Sequence, residues 1–166
     1  FTNNPYRLFE KKMTRISPLT KDYIDSKKTE GYVEDGYFIQ KFPVNSIVRN
    51  NQFIGSTYIL TGPLSYSTAT CFSASIKCYK NALIIGEETG QPLISNGDLN
   101  RFILPNTQIT CYTSLSKIFM PCNNNDTNGG VLPDYYVKPS LDDLLNNNDY
   151  TLEYALKLIR EKKDKK

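Results

Sequence analysis

The clearest hydrophobic pattern lies in the middle of the chain, at residues 56–90. A short apolar and β-branched run ends at Gly62 and Pro63, as is typical of a strand followed by a turn. Apolar residues then recur on one helical face, at Ala69, Phe72, Ile76 and Tyr79. A second apolar run ends in glycine at Gly86. The order strand, helix, strand predicts a parallel βαβ unit.

Weaker patterns precede this unit. Residues 6–10 alternate as a strand does, and residues 21–28 fit either a short helix or a charged loop. The glycines and the alternation of residues 31–39 predict a hairpin. We expect residues 40–53 to be a surface excursion leading into the central strand.

The part after the central unit begins with the polar, turn-rich residues 91–100, which predict a loop. Residues 101–113 alternate as two strands joined at Pro105 and Asn106. The composition of residues 123–130 is that of a flexible loop.

Two helices are predicted near the C-terminus. Ser140 is placed to start a short helix, and Asp149 to open the last one. The last helix is expected to bury one apolar stripe, formed by Leu152, Ala155, Leu156 and Ile159.

Two serines, Ser65 and Ser67, stand where the predicted helix begins. At the carboxyl end of a parallel strand, a helix N-terminus presents free amides and the positive end of its dipole. A serine there suits nucleophilic catalysis, because half of an oxyanion hole is already present. The alternative is that the serines only cap the helix, and spacing alone favours this alternative.

The segment Ser65-Tyr66-Ser67-Thr68-Ala69-Thr70 resembles the nucleophile segment of the carboxy-terminal processing (tail-specific) serine peptidases and their tricorn-core relatives. Three further segments match that family in the same order. They are Phe102-Ile103-Leu104-Pro105-Asn106, Gly130-Val131-Leu132-Pro133-Asp134 and the helix from Asn148 to Leu156. The resemblance runs from about Thr57 to the C-terminus.

The resemblance implies an α/β fold with a crotonase-like (ClpP/crotonase-type) spiral core of βαβ units, of which this chain is the C-terminal portion. We therefore expect residues 1–166 to be part of one peptidase domain. Residues 1–55 are its variable strand and loop region, residues 56–90 the nucleophile strand-helix-strand unit, and residues 91–166 the further strands and closing helix. The family also suggests a bacterial cell envelope or secreted location, which the sequence leaves undetermined.

In the family the second serine of the segment attacks the peptide, and that position is Ser67 here. The Thr68 backbone amide would then stabilise the oxyanion. Candidate accessory residues are Glu88, Asn96 and Asp126, the last near the place of a carboxylate in tricorn-like relatives. Glu87 and Glu88 also fit a solvated strand end, and Asp126 a plain loop. Asp134 is expected to hydrogen-bond its own turn.

The general base of the family is missing from its expected places. Lysine-using members carry the base near the position of Pro92, and no lysine stands between Lys80 and Lys117. Tricorn-like members use an upstream histidine, and this sequence contains none. No Gly-Gly turn precedes residue 56 to complete the oxyanion hole. We expect the base and part of that hole to lie outside this chain, and the isolated chain to be inactive.

Composition narrows the function classes. With 39% hydrophobic and 22% charged residues, the chain is typical of a globular domain, and its net charge is only +3. Basic residues are scattered, which argues against nucleic-acid binding, and no apolar run predicts stable membrane insertion. The expected partner is a peptide or protein substrate. The sheet edges that an incomplete spiral exposes also favour a homo-oligomer or a strand-exchanged dimer.

The four cysteines predict neither a metal site nor a cofactor. Cys71 and Cys78 lie two helical turns apart, too far for a disulfide with each other, and are expected to be small buried apolar groups. Cys111 and Cys122 would pair if their strands meet.

The function predicted from these observations is that of a serine endopeptidase, a hydrolase that works through an acyl-enzyme on Ser67 and needs no cofactor. The main alternative is a non-catalytic peptide- or ligand-binding module on the same fold. An acyl-thioester enzyme of the crotonase type is the weaker alternative, because no glycine-rich phosphate loop is present.

Overall fold

Two sheets and four helices make up the computed structural model, which describes residues 5–26, 30–45, 50, 53, 55–124 and 128–163. In chain order the strands are β1 (Lys11–Arg15), β2 (Tyr32–Glu34), β3 (Tyr37–Lys41), β4 (Tyr58–Thr61), β5 (Leu83–Gly86), β6 (Ile94–Ile103), β7 (Thr110–Phe119) and β8 (Tyr135–Tyr136). The helices are α1 (Pro18–Ser26), α2 (Thr68–Cys78), α3 (Leu141–Leu145) and α4 (Tyr150–Lys163).

The central unit is the predicted parallel βαβ. Strands β4 and β5 pair in parallel, from Tyr58 opposite Leu83 to Thr61 opposite Gly86, and α2 connects them. The short strand β8 adds to the other side of β5, also in parallel. The carboxyl ends of β4 and β5 therefore lie side by side, which brings the start of α2 and the loop after β5 to one edge of the sheet.

The second sheet is antiparallel, with the strand order β2-β3-β1-β7-β6. The predicted hairpin is present as β2 and β3, and the short helix as α1. The strand predicted at residues 6–10 is wrong: Tyr6 makes only an isolated bridge to Asn45, and β1 begins at Lys11. Strand β1 pairs with both β3 and β7, so long-range partners set its bounds.

The loop predicted at residues 91–100 is also wrong from Ile94 onward. Strand β6 begins there and pairs with β7 up to Ile103, and the two strands are joined at Pro105 and Asn106 as predicted. The polar residues that suggested a loop have partners in the sheet. Asp98, which has φ +56°, forms an ion pair with Lys12 of β1 at 2.9 Å.

The helices bury the expected faces only in part, and on α2 only Ile76 of the predicted stripe is fully buried. On α2, Ala69 and Phe72 are exposed, and the core side carries Cys71, Ala74 and Ile76. This helix packs both on β5, through Ile84, and on Met120 and Val131 beyond the strands, which turns small side chains inward.

On α4, Ala155 is buried as predicted, but the rest of the predicted stripe is not fully buried. There Leu152 and Leu156 are exposed, and Tyr154, Ala155 and Leu158 pack against the core. The predicted helix starts are correct: Ser140 forms a capping box with Asp143, and the Asp149 carboxylate accepts from the Leu152 amide. No helix among the described residues is long and apolar enough to cross a membrane.

The cysteines pair differently from the expectation. Cys78, the last residue of α2, forms a disulfide with Cys122, with the two Cα atoms 5.7 Å apart. Cys71 is a buried free thiol, as expected, and Cys111 is free and half-buried on β7. Burial raises the pKa of the Cys71 thiol. The disulfide thus fastens the helix that follows Ser67 to the segment that leaves the antiparallel sheet.

We predict that Cys122→Ala lowers the free energy of unfolding by about 2–5 kcal/mol, because the cross-link closes a long loop in the unfolded chain. The two joined residues are 44 positions apart. Urea unfolding without reductant measures the loss.

Cys111→Ala is the matched control and should have a much smaller effect, since this thiol is free. Equal stability of the two variants, or four titratable thiols in the unreduced denatured chain, would contradict the pairing.

Candidate active site

The turn between β4 and α2 is tightly hydrogen-bonded. The Ser65 amide donates to the Gly62 carbonyl at 2.8 Å, and the Ser65 hydroxyl accepts from the Gly62 amide at 3.2 Å. The Thr70 hydroxyl donates to the Ser65 carbonyl at 2.8 Å. These bonds occupy Ser65 and fix the path of the chain into the helix, which leaves Ser67 at the exposed tip.

Ser67 has a strained backbone, with φ 53° and ψ −123°, and it immediately precedes α2. Residues other than glycine rarely adopt such a conformation, which costs about 1–3 kcal/mol. A capping serine normally has an extended backbone and bonds a helix amide, but the Ser67 side chain makes no capping bond. The interpretation of Ser67 as an ordinary cap is therefore wrong, and its hydroxyl is available for other chemistry.

The start of α2 offers a donor next to this hydroxyl. The first helical bond runs from the Cys71 amide to the Ser67 carbonyl, at 3.0 Å. Within the described ranges, the Thr68 amide has no hydrogen-bond partner. An unpaired amide at the positive end of a helix dipole suits a developing negative charge. A free backbone amide of this kind is one of the two donors that an oxyanion hole requires.

The loop after β5, residues 86–91, closes over the carboxyl end of β4. Thr61 and Glu87 exchange two hydrogen bonds, and Gly86 has φ +124°. A Cβ at Gly90 would overlap the Pro63 carbonyl oxygen and the Tyr66 ring. The loop can therefore approach the Ser67 turn only because residue 90 is a glycine.

Gln91 reaches Ser67 from this loop. The Ser67 amide donates to Gln91 Oε1 at 2.5 Å, and Gln91 Nε2 donates to Ser95 Oγ at 2.6 Å. Gln91 was not predictable as a site residue, because a neutral side chain in a turn carries no local signal.

Glu88 braces the loop and does not contact Ser67. Its carboxylate accepts from the Gly130 amide at 2.6 Å, and the Thr89 hydroxyl accepts from the Val131 amide at 2.8 Å. Both residues are at least half-buried, so the interpretation of Glu88 as part of a solvated strand end is wrong. One carboxylate and one hydroxyl, both accepting from backbone amides of the same segment, hold the loop in place.

The remaining accessory candidates are Asn96 and Asp126. Asn96 is exposed on β6 opposite Lys117, and no hydrogen bond joins it to Ser67 in the described part of the chain. Asp126 lies outside the described residues.

Asp134 fastens β8 to β5 and to α2. Its carboxylate accepts from the Ile84 amide at 2.8 Å and from the Lys77 ammonium. Burial works to raise the pKa of Asp134, but the bonds from Lys77 and Ile84 outweigh it and hold that pKa below its usual range. The carboxylate thus bonds a neighbouring strand, and the expectation that it bonds its own turn is wrong.

Among the residues that the structure describes, no general base contacts Ser67. The sequence has no histidine, and among the described residues the Ser67 hydroxyl has no hydrogen-bond partner. Groups of three or more potential metal ligands are likewise not found in the described ranges. The arrangement can therefore present a serine and a backbone donor to a carbonyl group.

Comparison with known proteins gives a fold. No protein-family model and no curated protein sequence matches the chain. A candidate peptidase from Parabacteroides merdae matches with a TM-score of 0.57 and 21% identity, over 75% of this chain and 38% of its own. Mature CPAF in complex with lactacystin matches with a TM-score of 0.65 and 17% identity, over 95% of this chain and 38% of its own.

A second structure of mature CPAF matches with a TM-score of 0.61 and 17% identity, over 93% of this chain and 37% of its own. The chain therefore spans less than two fifths of the length of these structures. At such identities the likeness shows the fold alone, which is a peptidase-like α/β arrangement.

We predict that Ser67→Gly is more stable than Ser67→Ala by about 1 kcal/mol, because only glycine adopts the observed φ and ψ without strain. Paired thermal or urea unfolding of the two variants measures the difference. In the control, Ala69→Gly in the following helix should lose about 1 kcal/mol. Equal stability of the two Ser67 variants would show that the turn is not strained.

Proposed function

We propose that Ser67 is the nucleophile of a serine-type peptidase. The observation that carries this proposal is the strained turn, in which the Ser67 hydroxyl is exposed and makes no capping bond although it lies at the start of a helix. A nucleophilic serine on a sharp strand-to-helix turn is a recurring solution in hydrolases. Strain of this kind is stored where function requires it.

The proposed reaction is acyl transfer from a peptide to water. Ser67 Oγ attacks the scissile carbonyl while its proton passes to a base, and the carbonyl oxygen becomes an oxyanion that accepts from the Thr68 amide. Collapse of the tetrahedral intermediate expels the amine, which takes up the proton, and leaves an ester on Ser67. Water then hydrolyses the ester by the same steps, with no cofactor.

The base and a second oxyanion donor are proposed to come from outside these 166 residues. The chain covers only 37–38% of the length of each matching structure, so a longer protein would have room for these groups. A serine without a positioned base keeps its proton at neutral pH. We therefore expect the isolated chain to be inactive, or nearly so.

The more detailed classification is also a proposal. The order of four family-like segments and the parallel β4-α2-β5 unit support a tail-specific type of endopeptidase with a crotonase-like spiral core, of which this chain is the C-terminal part. The expected substrate is a peptide or an unfolded stretch of protein.

The alternative is a peptide- or ligand-binding module that keeps the scaffold without catalysis. It is favoured by the absence of a base near Ser67 among the described residues. The strained turn argues against it, since a binding module has no need to hold a serine in this conformation.

We predict that a fluorophosphonate probe labels Ser67 in the full-length protein and labels the isolated chain at least 100-fold more slowly. Ser67→Ala should abolish labelling, while Ser65→Ala, the neighbouring control, should retain a labelled Ser67. Mapping of the modified peptide by mass spectrometry locates the adduct, and lactacystin, the compound in the CPAF complex, is expected to compete.

Folded full-length protein that fails to react would favour the binding module. Fast labelling and peptide cleavage by the isolated chain, both lost in Ser67→Ala, would instead contradict the proposal that the base lies outside it.

A further inference from the structure

We infer that Gln91 is a positioning residue that holds Ser67 in its attacking conformation, an inference that rests on the proposed function. Among the described residues, the Gln91 side chain is the group that hydrogen-bonds to Ser67 from beyond the β4–α2 turn and α2 itself. The bond is made to the Ser67 amide, whose nitrogen is one end of the N–Cα bond about which φ rotates. A group that holds this amide sets where the Ser67 hydroxyl and the next amide point.

The orientation of the Gln91 amide follows from its partners. The Ser67 N–H is a donor only, so the Gln91 atom facing it must be the oxygen. The nitrogen then faces Ser95 Oγ, at 2.6 Å, and the serine oxygen accepts. Both ends of the amide are thereby used, and Gln91 cannot flip without losing the bond to Ser67, because its nitrogen cannot accept from the Ser67 N–H.

The backbone that carries Gln91 is fixed on each side. Before it, Thr89 exchanges two bonds with Val131, and after it the Leu93 amide donates to the Gly129 carbonyl at 2.9 Å. The Met120 amide donates to the Leu93 carbonyl at 3.0 Å. These bonds fasten the loop to the segment 129–131 and to Met120 and do not involve Ser67, so the loop should keep its fold when the Gln91 side chain is changed.

Loss of the Gln91 oxygen should release the strain at Ser67. The peptide between Tyr66 and Ser67 would rotate, φ would move to negative values, and the Ser67 hydroxyl would turn toward the helix amides it now avoids. The nucleophile and the Thr68 donor would then no longer face the same carbonyl. Misplacement on this scale lowers a chemical step by roughly 10- to 100-fold without weakening the first encounter with the substrate.

The test uses Gln91→Met in the full-length protein, a change that keeps the length of the side chain and removes both hydrogen bonds. We expect the maximal rate of fluorophosphonate labelling at Ser67 to fall about 10- to 100-fold, with the probe concentration for half-maximal rate unchanged. Ser95→Ala, which frees only the far end of the amide, should give a smaller loss. Gln108→Met at the exposed β6–β7 connection is the matched control and should behave as the native protein.

A second readout does not depend on reactivity. Hydrogen exchange of the Ser67 amide should be slow in the native protein and in Gln108→Met, and at least 10-fold faster in Gln91→Met. Native labelling rates and native exchange in Gln91→Met would overturn the positioning role and leave the proposed function intact. A native protein that never labels at Ser67 overturns both. If Gln91→Met does not fold, an unchanged labelling rate in Ser95→Ala overturns the role of the amide.

Discussion

The close approach between the loop after β5 and the turn after β4 is the constraint on which the site depends. Parallel pairing of the two strands ends at Thr61 and Gly86. The two segments stay in contact beyond that point, through the Thr61–Glu87 bonds and the close approach of Gly90 to Pro63. Only then does Gln91 come within reach of Ser67. The strain at Ser67 is thus maintained by contacts that belong to the strand pair and its extension.

The rest of the chain holds this loop from behind. Segment 128–131 bonds Glu88, Thr89 and Leu93, and the Cys78–Cys122 disulfide ties the residues that lead to that segment to the end of α2. Two parts of the antiparallel sheet reach the site: β6 starts three residues after Gln91, and Met120, which follows β7, is buried against α2. Although the site lies on the parallel sheet, the antiparallel sheet therefore contributes to its rigidity.

The sequence was informative where the signal is local. The β4-α2-β5 unit was predictable because two short apolar runs flank a helix-length segment, and the starts of α3 and α4 because capping residues act on their own amides. The bounds of β1 and β6 were not predictable from their own segments. Those of β1 depend on partners in β7 more than 100 residues away, and those of β6 depend on its register with β7.

The site was predictable only in part for the same reason. The position of Ser67 follows from the strand–helix junction, but its backbone strain and its bond to Gln91 arise when a distant loop closes on it. The disulfide partner of Cys78 depends on where β7 ends. The burial of Glu88 was not predictable, because its hydrogen-bond partner, the Gly130 amide, is 42 residues away in the sequence. Each of these features is a tertiary contact without a pattern in its own segment.

The most direct measurement of the central claim is a crystal structure of the full-length protein with a peptide boronate. The account predicts a covalent bond from boron to Ser67 Oγ, a boronate oxygen about 2.7–3.1 Å from the Thr68 amide nitrogen, and a positive φ at Ser67. A boronate bound elsewhere, with Ser67 at a negative φ and its hydroxyl capping α2, would contradict the account.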